Sequence, residues 1–173
     1  AAYPTVSLTT ALTTKHDTDA HATPYVVVED GNAVRQQPRL KTGARRFLEA
    51  KGARIECRAV IVDIDRPNHE QWTSLEQATE AVEALLEAYG DEGQPLENAG
   101  VYTTRAGYRL VYIPETPIPV GKFKAVMGNP PTSRQPARGF LGWLYEATDG
   151  HVYADEVSNQ WMRSYRLPHV VRD

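Results

Sequence analysis

Apolar residues along the chain keep two different rhythms. Over residues 57–65 (CRAVIVDID) they alternate, so that Val60, Val62 and Ile64 share one face of an extended segment and Ile61, Asp63 and Asp65 the other. From Leu75 the period lengthens: Leu75, Ala78, Val82, Leu85, Leu86 and Tyr89 recur at helical spacing and Gly90 follows as a stop. This spacing predicts a helix with a core-facing stripe, opened by the capping-box pattern Thr73-Ser74-Leu75-Glu76. A β-branched strand is expected at 25–29, ended by Asp30-Gly31-Asn32. Two more are expected at 99–104 and 108–114, joined as a hairpin through Arg105-Ala106-Gly107.

The remaining segments are shorter. Helices are predicted at 43–50, capped by Thr42, and at 139–147; strands are predicted at 151–155 and 164–171. Pro114, Pro117 and Pro119 break regular structure, and 128–137 (GNPPTSRQPA) has the composition of a mobile loop or hinge. Residues 1–23, polar and threonine-rich, are expected to form a mobile loop rather than a metal site. Strands mixed with helices and a hairpin indicate an α+β fold, with an antiparallel or mixed sheet flanked by helices.

Composition narrows the function. At 173 residues, with a formal net charge of −3, the chain suits one domain or two small subdomains sharing a core. No run of about 18 apolar residues is present, which excludes a membrane-spanning helix. The single Cys57 excludes an internal disulfide framework and a Cys-rich zinc knuckle. Weak acidity argues against coating nucleic acid by bulk charge, so any such partner must be met at a local site. Residues 1–25 lack the apolar core of a signal peptide, and a reduced, cytoplasmic setting is expected. The opening Ala1-Ala2-Tyr3 and an end just after an apolar run lead us to expect an excised piece of a longer protein.

Three segments carry candidate chemistry. Asp63 and Asp65, two positions apart on a strand, point to one side with backbones roughly 6–7 Å apart. Like charges so placed favour a cation between them, and Mg²⁺ or Mn²⁺ on carboxylates and substrate phosphates is one arrangement that meets this. Glycosyltransferases and hydrolases use the same pair, and acid pairs at strand ends also occur with no function. In the hairpin, Arg109 shares a face with Val111 and Ile113, where a guanidinium either meets an anion such as phosphate or snorkels to solvent. In the last segment Arg163, Tyr165 and His169 alternate on one face and Arg166 lies on the other, a mixture of cations and aromatics suited to phosphates and stacked bases. Upstream, Asp155 closes a strand and is placed to join Asp63 and Asp65, whereas Asp149-Gly150 suits a turn. Tyr108 and Trp161 suit either the core or a base.

In this order, Val62-Asp63-Ile64-Asp65, the hairpin, Asp155 and Arg163-x-Tyr165-Arg166-Leu167-Pro168 resemble the catalytic core of the archaeo-eukaryotic primase superfamily, in particular primase-polymerase domains of phage and plasmid replication proteins. The resemblance spans about residues 57–173. It implies an RRM-like catalytic module at 57–173 fused to a small N-terminal α/β module at 1–56, within one primase-polymerase domain. It implies that Asp63, Asp65 and Asp155 bind two divalent ions, Mg²⁺ or Mn²⁺. In that family a hairpin histidine contacts the phosphates of the incoming nucleotide; here Arg109 stands at the matching position. Arg109, Arg163 and Arg166 are the expected triphosphate contacts, with Arg105 and His169 behind them.

The leading expectation is therefore a nucleotidyltransferase, a DNA primase or DNA polymerase, acting on a single-stranded DNA template with NTP or dNTP substrates. Phage or plasmid origin and a following helicase are implied only by the resemblance. The alternatives are a non-catalytic module binding single-stranded nucleic acid and a metal-dependent nuclease using the same acids.

Overall fold

The computed structural model describes residues 8–15, 21–27, 54–65, 75–104, 107–161, 163 and 165–168. The helix expected at 43–50 and the capping residues Thr73 and Ser74 lie outside them. Along the chain the described elements are α1 (Leu8–Thr13), β1 (His21–Ala22), β2 (Tyr25–Val27), β3 (Ile55–Cys57), β4 (Val60–Asp65), α2 (Leu75–Tyr89), β5 (Ala99–Thr103) and β6 (Tyr108–Tyr112). After these come β7 (Ile118–Pro119), α3 (Val120–Met127), α4 (Gly139–Ala147), β8 (Tyr153–Ala154), a 3₁₀ turn at Glu156–Asn159 and β9 (Tyr165–Arg166).

The central sheet is antiparallel, in the order β5-β6-β4-β8. Alternation on β4 gives it two unlike faces. Val60, Val62 and Ile64 face the main core, where Val82 and Leu85 of α2, Leu110 of β6, Phe123 and Met127 of α3, and Leu141 and Leu144 of α4 are all buried. Ile61 and Val111 face the other way and are covered by Tyr165, with Leu12 of α1 and Tyr102 of β5 packed against them. An aromatic chain joins the layers on the core side: Tyr89 meets Trp143 edge-on at 5.1 Å, and Phe140 stacks on Trp143 at 5.9 Å and on Tyr112 at 5.7 Å.

The expected single strand at 57–65 is two strands in two sheets. β3 joins β2 and β7 in a three-stranded antiparallel sheet, and β4 enters the central one. The burial pattern shows why: Cys57, Val60, Val62 and Ile64 all lie in the main core, so the inward phase slips by one residue across Arg58-Ala59. Arg58 turns outward at this slip, and its N–H donates to the Pro24 carbonyl at 3.1 Å.

Other expectations also need correction. Residues 1–23 contain α1 and β1 rather than a featureless loop, and β1 pairs with β9 far along the chain, His21 opposite Arg166. Helix α3 follows directly on the prolines. Pro119 supplies an extended residue at its start (φ −57°, ψ 134°), and Val120, Phe123 and Met127 bury one face at a spacing of three and four. Segment 128–137 is the loop expected there, without helix or strand, and its ends are joined: Asn129 and Arg138 exchange backbone hydrogen bonds of 3.0 and 2.9 Å, and the Asn129 side-chain amide donates to the carbonyls of Pro130 and Pro136. By contrast α2, the β5–β6 hairpin, α4 and the Asp149-Gly150 turn lie where the sequence places them, the last with both φ angles positive at 49° and 81°.

Candidate functional site

Register across the central sheet lines up a row of polar side chains on the face away from the main core. Tyr102 of β5 stands opposite Arg109 of β6, and Arg109 opposite Asp63 of β4. On the other side of β4, Ile64 pairs with Ala154, and the Asp155 N–H donates to the Asp63 carbonyl at 2.9 Å. Thus Tyr102, Arg109, Asp63 and Asp155 form one line across four neighbouring strands, because each pairing keeps the same phase of the pleat.

Each carboxylate in this line divides its oxygens between two tasks. Asp63 Oδ1 accepts from Nε of Arg109, and Oδ2 lies 3.4 Å from Nη2 of Arg163. Asp155 Oδ1 accepts from the Val157 N–H at 3.0 Å, capping the 3₁₀ turn, and Oδ2 lies 3.9 Å from the same Arg163 Nη2. The second oxygen of each carboxylate thus converges on one guanidinium nitrogen. Both acids are mostly buried, while the Arg163 side chain keeps 35% of its surface exposed, about twice the 18% of Arg109.

Arg109 is held from every side. It hydrogen-bonds Asp63 and Tyr102, and its guanidinium lies 5.5 Å from the centroid of the Tyr165 ring and 6.0 Å from that of Tyr102. Burial alone lowers its pKa, yet the bonds to Asp63 and Tyr102 outweigh that and hold the pKa above the ordinary arginine value. The Tyr165 phenol is pushed up by burial first and by the nearby Asp63 charge second. Its ring also lies under Arg163 at 5.8 Å, and it hydrogen-bonds Ser158, a buried hydroxyl that accepts from the Asp63 N–H at 3.1 Å. Sequence reasoning missed Tyr102 and Ser158. Tyr102 carries only the alternation of a short strand, and Ser158 only its place three residues after a capping acid.

Of the residues singled out from sequence, the structure brings Asp63, Asp155, Arg109 and Arg163 together. Asp65 ends β4 opposite Tyr153, and Arg166 lies in β9; the side chains of both are outside the described set. Arg105 and His169 are outside it altogether. Tyr108 is buried, and its hydroxyl is hydrogen-bonded to Thr79; Trp161 meets Tyr25 edge-on at 5.0 Å, so both belong to the packing. Among the described residues no group of three or more His, Cys, Asp or Glu side chains is arranged to hold a metal ion, and no helix is long and apolar enough to cross a membrane.

No family model matches the chain, and no curated protein matches it in sequence. A solved structure does match: the polymerase domain from Mycobacterium tuberculosis Ligase D in complex with DNA, with a TM-score of 0.52 and 14% sequence identity. The fold is similar to that of a polymerase domain. The match covers 89% of this chain and 47% of that one, so the chain spans about half the length of the structure it resembles.

Proposed function

We propose that the chain is a nucleotidyltransferase, a DNA primase or DNA polymerase that extends a strand on a single-stranded DNA template. The observation that carries this reading is the convergence of Asp63 Oδ2 and Asp155 Oδ2 on one cationic nitrogen, on the face of the central sheet away from the main core, in a fold similar to a polymerase domain. The order of Asp63, Asp65, Asp155 and the Arg163-to-Pro168 segment supports it independently.

In the proposed reaction the oxygen of a 3′-hydroxyl attacks the α-phosphorus of an NTP or dNTP. The bond from that phosphorus to the bridging oxygen breaks, pyrophosphate leaves with the electron pair, and the hydroxyl proton passes to solvent. An all-oxygen donor set of Asp63, Asp65 and Asp155 suits Mg²⁺ or Mn²⁺. Such ions, when bound, supply charge neutralisation at the attacking and leaving oxygens. The chain's own contribution is orientation: Arg109 fixes Asp63 through Oδ1, the Val157 N–H fixes Asp155 through Oδ1, and both leave Oδ2 directed to the same point. Arg163 and Arg166 are the proposed triphosphate contacts, with Arg105 and His169 as further ones. A phage or plasmid replication protein, acting in the cytoplasm of the host and carrying a helicase further along the chain, is the setting this reading implies.

Incubation with a primed single-stranded template, labelled NTPs or dNTPs, and Mg²⁺ or Mn²⁺ tests the proposal. Extension products are expected from the wild type and none from Asp63→Asn/Asp65→Asn, whose folding is checked by circular dichroism. Products of undiminished yield from the double variant would sink the mechanism. A second reading, a non-catalytic module for single-stranded nucleic acid, is favoured by one observation: the arginines already neutralise both described acids. That reading gains if the wild type binds single-stranded DNA but makes no product with either metal.

A further inference from the structure

Asp63 and Asp155 each have one oxygen committed to the architecture and one directed at Arg163, and the two arginines near them differ in kind. Arg109 is enclosed by Tyr102, Tyr165 and Asp63 and cannot leave without exposing a buried carboxylate. Arg163 meets its acids at 3.4 and 3.9 Å, longer than a charge-assisted hydrogen bond of about 2.7–2.9 Å, and is about one-third exposed. Charge bookkeeping sharpens the contrast. Two carboxylates and two guanidinium groups sum to zero among these four described side chains, so the row as it stands holds no net attraction for an anion.

From this we infer that Arg163 is an exchangeable counter-ion: a divalent cation entering between Asp63 Oδ2 and Asp155 Oδ2 displaces its guanidinium, which then turns to the triphosphate of the incoming nucleotide. The inference rests on the nucleotidyl-transfer reading and adds an order to it. Metal entry converts a neutral row into a positive one and frees a fork-shaped donor suited to phosphate oxygens. The nucleotide therefore binds well only after the cation. Arg109 takes no part in the exchange and stays on Asp63 Oδ1 as a positioning residue.

The test is a titration of the protein with Mn²⁺ alone, read by electron paramagnetic resonance, followed by dATP binding with and without Mn²⁺ by calorimetry. Arg163→Gln removes the internal competitor. A unit charge within about 4 Å is worth enough, even at intermediate dielectric, for Mn²⁺ to bind about tenfold tighter or more. The same variant is expected to bind dATP more weakly in the presence of Mn²⁺. Opposite movement of the two affinities is the signature, since a merely structural role would weaken both. Arg163→Lys keeps the charge and is expected to stay within about threefold of wild type for Mn²⁺, which separates competition from damage to the fold. Asp63→Asn and Asp155→Asn are each expected to abolish the tight Mn²⁺ site. If the wild type binds Mn²⁺ through Asp63 and Arg163→Gln binds it no tighter, the exchange is refuted and nucleotidyl transfer stands. If neither wild type nor Arg163→Gln binds Mn²⁺, or if binding survives Asp63→Asn, both readings fall.

Discussion

Asp63 is bonded through both carboxylate oxygens and also through its backbone N–H, to Ser158. The cost of losing it is therefore set by what it leaves behind. Asp63→Ala strands the Arg109 charge in a mostly buried position, and about 3 kcal/mol of stability should be lost. Replacing both partners by apolar residues, Asp63→Leu with Arg109→Met, removes the unpaired charge and should recover most of that loss. Urea midpoints of the two variants check this, and equal midpoints would show that the pair is not coupled. A second prediction concerns Cys57, fully buried in β3, whose thiol burial pushes from its ordinary 9.0 up to about 12. The folded chain keeps this proton where the unfolded chain has lost it. Stability is thus complete below about pH 9 and falls as pH rises toward 12, by up to about 1.4 kcal/mol per pH unit. The buried phenols of Tyr102 and Tyr165 are also raised, by burial above all, and add to the decline from their ordinary value of 10.0 upward. Denaturant titrations between pH 8 and pH 10 should show the slope in the wild type and a flatter one in Cys57→Ala.

Among the elements, the link between α3 and α4 is closed by two glycines face to face. Gly128 and Gly139 both adopt positive φ (64° and 61°), and a Cβ on Gly128 would collide with the Arg138 carbonyl. Gly128→Ala should cost at least about 1–3 kcal/mol from backbone strain alone and lower the melting temperature, whereas Gly100→Ala, with open space around its Cβ, should do much less. The same segment shows what a single sequence reveals. Its Pro and Ser content points to a loop, which it is, because composition records the absence of regular structure; what composition does not record is the side-chain amide of Asn129 that ties the segment together. Helix α2 was legible as far as its C-terminal end at Gly90, since six apolar positions and a terminal glycine agree on one period. Helix α3 was not, because only three buried positions mark it and prolines stand immediately before it. The break between β3 and β4 carries no Gly or Pro; it is a slip in phase, visible only once the core is known.

At the scale of the molecule, the acids were legible and the row was not. A repeat of two along β4 identified Asp63, and a strand end identified Asp155, but the line from Tyr102 to Asp155 depends on registers between residues as much as 92 positions apart in sequence, as Asp63 and Asp155 are. Closure over that line is also long-range, with β1 paired to β9 and Leu12 of α1 packed against Ile61, Val111 and Tyr165. Leu12→Asp should therefore destabilise the chain by about 1–3 kcal/mol although it lies outside the main core. Thermal melting monitored by tryptophan fluorescence would check it, and an unchanged melting temperature would mean that this cover contributes nothing.

The pairing of Asp63 with Arg109 has a consequence for how the sheet assembles. Were β4 to dock against β6 one residue out of step, Asp63 would turn toward Leu110, Leu85 and the rest of the apolar layer, and Ile64 would turn away from it. A lone carboxylate in that layer is far costlier than a misplaced leucine or valine. The charged pair thus acts as an alignment key during folding, admitting the productive docking of two otherwise interchangeable apolar strands and rejecting its nearest neighbours.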